Sequence, residues 1–539
     1  MLKLKRTELH EKELWEKAGI TLPKFDLEKM KKNTDKNPVW VHFGAGNIFR
    51  AFPAALQQKL LNDNIVKEGI IAVETFDLQI IDNMFQPFDN LTMLALMKPN
   101  GSLNQEVIAS VALSLKGNPA QREDYQKLVN IVKHPGLQMI SFTITEKGYS
   151  LWNMDGEYIP VILEDMENGP SKPKHTMSIV AALLYERYIA GAHKIAVVSM
   201  DNCSHNGEKL RNSILAIAKG WTENNLTEQG FLDYIQNESI VSFPWTMIDK
   251  ITPRPSKQVQ NVLEQAGLIG MEPIVTDKNT FIAPFVNAEI PEYLVIEDQF
   301  PNGRPPLEKA GVYFTDRETV NKTETMKVTT CLNPLHTALA VFGCLLSYDS
   351  IAEEMKDDHL KKLVCRIGYE EGMPVVVNPG IIDPKHFIDE VIEKRLPNPY
   401  IPDTPQRIAT DTSQKMAIRF GETMKAYQKH NSLKLENLKY IPLVIAAWLR
   451  YLLGVDDNGN TFERSPDPML KELTKLLSGI VVFQPETYQD NLKMILKNET
   501  LFGLDLYQAG IGEQIESMFL QMIKETGAIR ALLKEKLED

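Results

Sequence analysis

The chain has 539 residues, 43% hydrophobic and 24% charged, with a formal net charge of −12. At roughly 100–200 residues per domain this is too long for one core and implies two to four domains. The acidic balance disfavours nucleic acid and anionic membrane as partners, though a local basic pocket for a small anionic substrate stays compatible with it.

The four cysteines, Cys203, Cys331, Cys344 and Cys365, form no CxxC pair. Neither a zinc site nor a disulfide framework is indicated, and a reducing compartment fits. The opening MLKLKRTELHEKELWEKAG is charged and has no apolar signal region. The longest apolar stretches, near 337–346 and 441–449, fall short of the ~20 residues needed to cross a bilayer. A cytoplasmic protein without bound metal is expected.

Residues 1–38 are polar and helical in flavour, an N-terminal extension ending in Asn37-Pro38. Val39-Trp40-Val41-His42-Phe43 reads as a buried strand, followed by Gly44-Ala45-Gly46-Asn47 and a helix over 48–61. Strand, glycine turn and helix in this order make a phosphate cradle. The glycines let backbone N–H groups approach a pyrophosphate, and the helix start favours negative charge. The third glycine of the full fingerprint is missing, and Arg50 stands just beyond its place. The next strand, 69–73, ends at Glu74, the topological position of the acid that bonds an adenosine ribose and disfavours a 2′-phosphate. Asp77 competes for that role, and a surface loop acid explains Glu74 equally well.

Strand-like runs follow over 107–115 and 137–145, with a helix over 121–133 between them. A helix over 177–190 precedes a strand over 194–199. This alternation predicts an α/β domain with a parallel, doubly wound, Rossmann-like sheet. The last strand runs into Ser199-Met200-Asp201-Asn202-Cys203-Ser204-His205-Asn206-Gly207, a polar group where such sheets bind ligands, although Asn-Gly is also ordinary turn chemistry. Asp249 sits between apolar neighbours, where a buried carboxylate needs a partner.

From Asn333 onward helical patterns dominate, so a mainly α-helical C-terminal domain is expected. The domains are placed at 39–300 and 301–539. Helices are expected over 334–346, 351–356, 359–369, 386–394, 414–430, 438–453, 468–477, 489–496 and 513–537. Arg407 and Lys415 lie in a polar segment and read by default as a solvated face.

The stretch Met326-Lys327-Val328-Thr329-Thr330-Cys331-Leu332-Asn333-Pro334-Leu335-His336 stands out. Asn333 followed by Pro334 reads as a helix N-cap with proline at the first helical position, which puts His336 in the first turn. A lysine beside Asn and His at an exposed helix start can transfer protons if burial or nearby cations lower its pKa. A capped core helix with a solvated lysine and an incidental histidine accounts for the same residues.

Taken together, HFGAGNIFRAF, TITEKGY, SMDNCSHNG, FPWTMIDKITP, GRPPLEKAGV, KVTTCLNPLH, RLPNPY and RIATDTSQK, in this order, resemble the polyol-specific long-chain dehydrogenases, over roughly residues 39–450. Members of that family act on mannitol or on keto-hexuronates such as fructuronate and tagaturonate. The resemblance implies an NAD-dependent, metal-free oxidoreductase with Lys327 as acid/base. Asn202 and Asn333 would hold the reacting oxygen, which is sensible for amide donors aimed at a developing alkoxide. His336 would orient the substrate. Asp249, Arg407 and Lys415 would contact substrate, and Gly44, Gly46, Asn47, Arg50 and Glu74 would hold the dinucleotide. The interval from Lys327 to Asn333 is one residue longer than the family pattern, so either a bulge absorbs it or the correspondence at Lys327 shifts. The expected reaction is reduction of fructuronate to mannonate, with mannitol 2-dehydrogenase or tagaturonate reductase activity as alternatives. A non-catalytic NAD(H)-binding redox sensor is the rival from another class. A monomer or weak homo-oligomer is expected.

Overall fold

The apolar runs of the first half of the chain assemble into one all-parallel sheet. In the computed structural model, which describes every residue except Pro99, Met154, Asn491 and Asp539, its strands are β1 (Trp40–Phe43), β2 (Ile70–Glu74), β3 (Val111–Lys116), β4 (Met139–Phe142), β5 (Ile195–Ser199) and β6 (Val241–Ser242). They lie in the order β6-β5-β4-β1-β2-β3, every neighbouring pair parallel. This is the doubly wound dinucleotide-binding order, with its switch point between β1 and β4.

Successive side chains on a strand face opposite ways. Val41 and Phe43 of β1 therefore enter one core with Leu128, Leu183 and Ile214, while Trp40 enters another with Phe49, Leu60 and Val198. Burial on both faces explains why these strands read as unbroken apolar runs. The covering helices are α1 (Asn47–Ala51), α2 (Pro53–Asn62), α3 (Arg122–Lys133), α4 (Thr176–Ile189) and α5 (Asn206–Glu223).

Several expectations need correction. The single helix over 48–61 is two, because Pro53 has no N–H to continue the ladder and disfavours helical geometry in the residue before it. Phe52 accordingly takes φ −127°, ψ −73°. The single strand over 107–115 is also two. Leu103–Ile108 pairs antiparallel with Thr92–Met97 in a separate four-stranded sheet, and only β3 joins the parallel sheet. Between them Ala109 N–H donates to Gln58 Oε1 and the Ser110 hydroxyl to the Ala54 carbonyl, which turns the chain from one sheet to the other.

Residues 1–38 are built into the same unit: Leu2–Lys3 pairs with Leu268–Ile269 and Ile20–Thr21 with Gln105–Glu106.

The chain divides into two compact units, residues 1–98 with 102–321 and residues 322–539, with residues 100–101 grouping with the second. Tyr313–Thr315 completes a three-stranded sheet with Thr246–Asp249 and Tyr293–Glu297 and so stays in the first unit.

The second unit is helical, with no named strand among its described residues. Its centre is α6 (Asn333–Leu345) and α7 (Tyr440–Tyr451), buried on nearly every side as their apolar composition requires. The buried start of α7 has orphan N–H groups. The Glu371 carboxylate accepts those of Lys439, Tyr440 and Ile441 at 2.5, 2.8 and 2.7 Å. The last expected helix, over 513–537, is split into Gly512–Met522 and Ala528–Glu538 around Gly527 at φ +80°.

The helical run Arg317–Leu345 is, by length and composition, long and apolar enough to cross a membrane, although the sequence suggested no such stretch. Most of it, 83% of its apolar window, is buried inside the protein. Among the described residues, four segments of the second unit are π-helical: Lys327–Cys331, Arg366–Gly372, Val391–Arg395 and Ala417–Gly421. Single π turns recur at functional sites because they re-aim side chains within a helix.

Candidate active site

In the first unit the strand ends at the switch point are tied together by polar groups. Gly44 takes φ +94°, and a Cβ there would lie 2.1 Å from the Thr143 carbonyl oxygen, so only glycine fits. A Cβ on Gly46 would meet nothing within 4 Å. The surrounding fold does not require that glycine, and the open space before it fits a pyrophosphate brought close to the backbone. His42, fully buried, bridges Ser141 Oγ (2.7 Å) and Thr143 Oγ1 (2.9 Å) and stacks on Phe49. Burial pulls its imidazole down to about 3, so it is a neutral tie between β1 and β4.

Glu74 lies where the ribose-binding acid was expected, and its carboxylate is already occupied. One oxygen accepts from Ala45 N–H at 3.0 Å; the other accepts from Thr75 and Phe76 at 3.0 Å and Asp77 at 3.4 Å. A carboxylate has about four acceptor positions. Glu74 therefore shapes the glycine turn and the loop after β2 from within, and burial raises its pKa. Asp77 is likewise engaged, accepting from the Thr276 hydroxyl at 2.6 Å.

Arg50 points inward. It is 1% exposed and donates to the Ala283 carbonyl and to Asn47 Oδ1, both at 2.8 Å. It anchors the Ala283 loop and pins Asn47, in place of the phosphate contact expected of it. Burial lowers its pKa to about 9.

At the end of β5 two buried residues present a third. Asp201 accepts from Ile144 and Thr145 N–H, both at 2.9 Å, and from the Tyr149 hydroxyl at 2.5 Å, joining the ends of β4 and β5. Asn206 uses its amide on Asp201 O, Thr246 O and Thr246 Oγ1. Between them Asn202 is exposed, just past the strand end. Asp249 is buried at the end of Thr246–Asp249, opposite Tyr293.

In the second unit Lys327 is 3% exposed and opens the π turn Lys327–Cys331. The Leu332 N–H donates to the Lys327 carbonyl at 3.1 Å, five residues back. A π turn accommodates one extra residue without ending the helical run. This turn lies within the interval from Lys327 to Asn333.

Asn333 is not the N-cap that was expected. Leu332 occupies that place, and no side chain caps the helix start. Leu332 leaves helical geometry after the π turn at φ −134°, ψ −63°, so Asn333 is the first residue of α6, and its carbonyl accepts from the Thr337 hydroxyl at 2.9 Å.

His336 does lie in the first turn, and its side chain is 15% exposed. Its Nε2 is 3.3 Å from Asp403 Oδ2, and the other oxygen of Asp403 binds Arg407. Burial, then the charges of Arg419, Arg407, Arg395 and Lys415, pull the His336 imidazole down to about 3. Lys415 donates to the Thr410 carbonyl, and Arg419 Nη1 donates to Thr337 Oγ1 at 2.5 Å. Arg395 and Arg419 both come from π turns.

The second unit thus brings together His336, Arg407 and Lys415, joined by Asp403, Arg395 and Arg419, which the sequence reading had not assigned. One signal was present: basic residues recur at Arg407, Lys415 and Arg419 within one polar stretch around Asp403. His42 carried a weaker one, as a polar residue inside an apolar strand.

Two family models cover most of the chain: the mannitol dehydrogenase Rossmann domain matches residues 39–309 and the mannitol dehydrogenase C-terminal domain residues 319–523. The chain belongs to the mannitol dehydrogenase family and is an oxidoreductase. It is 53% identical over 536 residues to a D-mannonate oxidoreductase of Thermotoga maritima, covering 99% of each chain. A D-mannonate oxidoreductase of Escherichia coli is 28% identical over 484 residues, covering 87% of this chain and 89% of that one. Among solved structures, the Pseudomonas fluorescens mannitol 2-dehydrogenase ternary complex with NAD and D-mannitol matches along both whole chains, with 26% identity and a TM-score of 0.70.

Proposed function

We propose that the protein interconverts a keto-hexuronate and the corresponding aldonate, D-fructuronate and D-mannonate, using NAD(H). The near end-to-end match to a D-mannonate oxidoreductase carries this reading. The basic residues around His336 support it, because an acid substrate brings a carboxylate and a polyol does not.

Gly44, Gly46 and Asn47 are the residues that would hold the dinucleotide, which supplies the hydride for ketone reduction. Glu74 contributes by setting the shape of the glycine turn. Lys327 hands a proton to the carbonyl oxygen as it becomes an alcohol and recovers it in the reverse direction. The amides of Asn202 and Asn333 have the proposed role of donating to that oxygen, where negative charge develops. His336, neutral and oriented by Asp403, positions a substrate hydroxyl. Asp249, Arg407 and Lys415 are assigned to substrate, with Arg407 acting from its pair with Asp403.

Initial rates with NADH and fructuronate, tagaturonate or fructose test the proposal. Fructuronate should be turned over with the highest kcat/KM; turnover of fructose alone would overturn the uronate reading. Lys327→Ala should abolish turnover and leave NADH binding intact, and substantial residual turnover would remove Lys327 from its role. NADH binding without turnover of any of the three substrates would favour a redox sensor.

A further inference from the structure

The second unit gathers positive charge around His336. Arg395, Arg407, Lys415 and Arg419 all act on the His336 imidazole. Facing them, Asp403 takes Arg407 and His336, while Asp411 and Asp467 act on Lys415. Asp467 is itself committed to the backbone N–H and hydroxyl of Ser413.

Arg419 differs from the others. It is half-buried, and burial lowers its pKa to about 10. Its one hydrogen bond among the described residues goes to a neutral acceptor, Thr337 Oγ1, and no carboxylate there lies within 4.0 Å of it. A guanidinium carries five donors in a planar fork. Keeping such a group half-desolvated beside other cations is costly unless an anion completes it. The fork matches a carboxylate in bidentate fashion, with charge-assisted bonds about twice as strong as neutral ones.

Its position is also set by the site. The Thr337 hydroxyl that accepts from Arg419 donates to the Asn333 carbonyl, so Arg419 is fixed one residue from His336 and against the first turn of α6. Resting on the keto-hexuronate reading above, we propose that Arg419 binds the terminal carboxylate of the substrate and is the residue that distinguishes a sugar acid from a neutral sugar or polyol. Lys415, whose amine donates to the Thr410 carbonyl in its own loop, lends charge from alongside.

The test is steady-state kinetics of wild type, Arg419→Gln and Arg419→Lys with NADH and either fructuronate or fructose. Calorimetric binding of D-mannonate and D-mannitol to the NAD-loaded protein accompanies it. In Arg419→Gln the ratio of kcat/KM for fructuronate over fructose should fall about 10- to 100-fold, mainly through KM, as expected for loss of a hydrogen bond to a charged group. D-mannonate affinity should fall in parallel, and Arg419→Lys should restore part of both. Should Arg419→Gln fail to fold, the lysine variant decides, because a point charge without the fork should still lower the ratio. A wild type that uses fructuronate and variants with an unchanged ratio would overturn the assignment of Arg419 alone. A wild type that ignores fructuronate would overturn the substrate reading and this assignment with it.

Discussion

The Asp403 carboxylate joins His336 and Arg407: one oxygen lies 3.3 Å from His336 Nε2, and the other binds the Arg407 guanidinium. Asp403 is 5% exposed and Arg407 largely exposed, so the pair runs from the interior of the second unit to its surface. The histidine thereby has a fixed orientation without carrying charge.

Asp403→Asn should keep the fold and loosen both partners. A misplacement of about 1 Å at a positioning residue can cost about 10²-fold in rate. A loss of kcat/KM of that order is expected, with NADH binding unchanged as read by fluorescence titration. A variant with wild-type kinetics would mean that His336 is oriented by other contacts.

The two buried histidines predict how the protein responds to acid. His42 and His336 are pulled from the ordinary 6.5 to about 3 in the folded state. Between those values the unfolded chain binds protons that the folded chain refuses, so stability is full above about pH 6.5 and falls as pH drops towards 3. Denaturant midpoints measured from pH 7.5 to 4.5 should decline, and more shallowly in His336→Asn. The rate profile should lack an acid limb near 6.5 that disappears in His336→Asn, since a neutral imidazole has no proton to lose there.

Glu354 should give the opposite pH behaviour. Both its carboxyl oxygens are buried without a hydrogen-bond partner among the described residues, and burial, then Asp357, push its pKa well above the usual range. The folded state therefore holds a proton that the unfolded chain releases above about 4.5, and stability falls as pH rises past that value until the folded group also ionises. Glu354→Met, which removes an unsatisfied buried polar group at similar volume, should stabilise the protein by about 1–3 kcal/mol at pH 7. Destabilisation in a denaturant titration would show that the carboxyl has a partner in solution.

The glycine turn makes a paired prediction. Gly44→Ala places a Cβ against the Thr143 carbonyl and forces alanine to a positive φ, so a loss of several kcal/mol in stability is expected. Gly46→Ala meets no protein atom and should melt close to wild type while weakening NADH binding about tenfold or more. Equal melting temperatures and equal NADH affinity in both variants would disprove this division of roles.

Much of this architecture was legible in the chain itself. Val39 to Phe43 and Gly69 to Val73 are apolar without alternation because strands covered on both faces must be, and the turn at Gly44 announced where the first strand ends. The order of polar motifs carried the family. What was not legible was the use of particular polar groups. Glu74 and Arg50 have the residue types expected of dinucleotide contacts, yet each is consumed by backbone partners 29 and 233 residues away in sequence. Asn333 has the sequence of a cap, but the cap place falls to Leu332, where the backbone leaves helical geometry after the π turn.

Taken by itself, the sequence determined the strand and helix repertoire, the two-part α/β and helical organisation and the candidate residues, because periodicity and glycine placement are local properties of a chain. Only the tertiary structure decided which charges face one another. Asp403, Arg395 and Arg419 gather at His336 because separate helical segments pack there, and no local pattern encodes the distance between side chains on different helices.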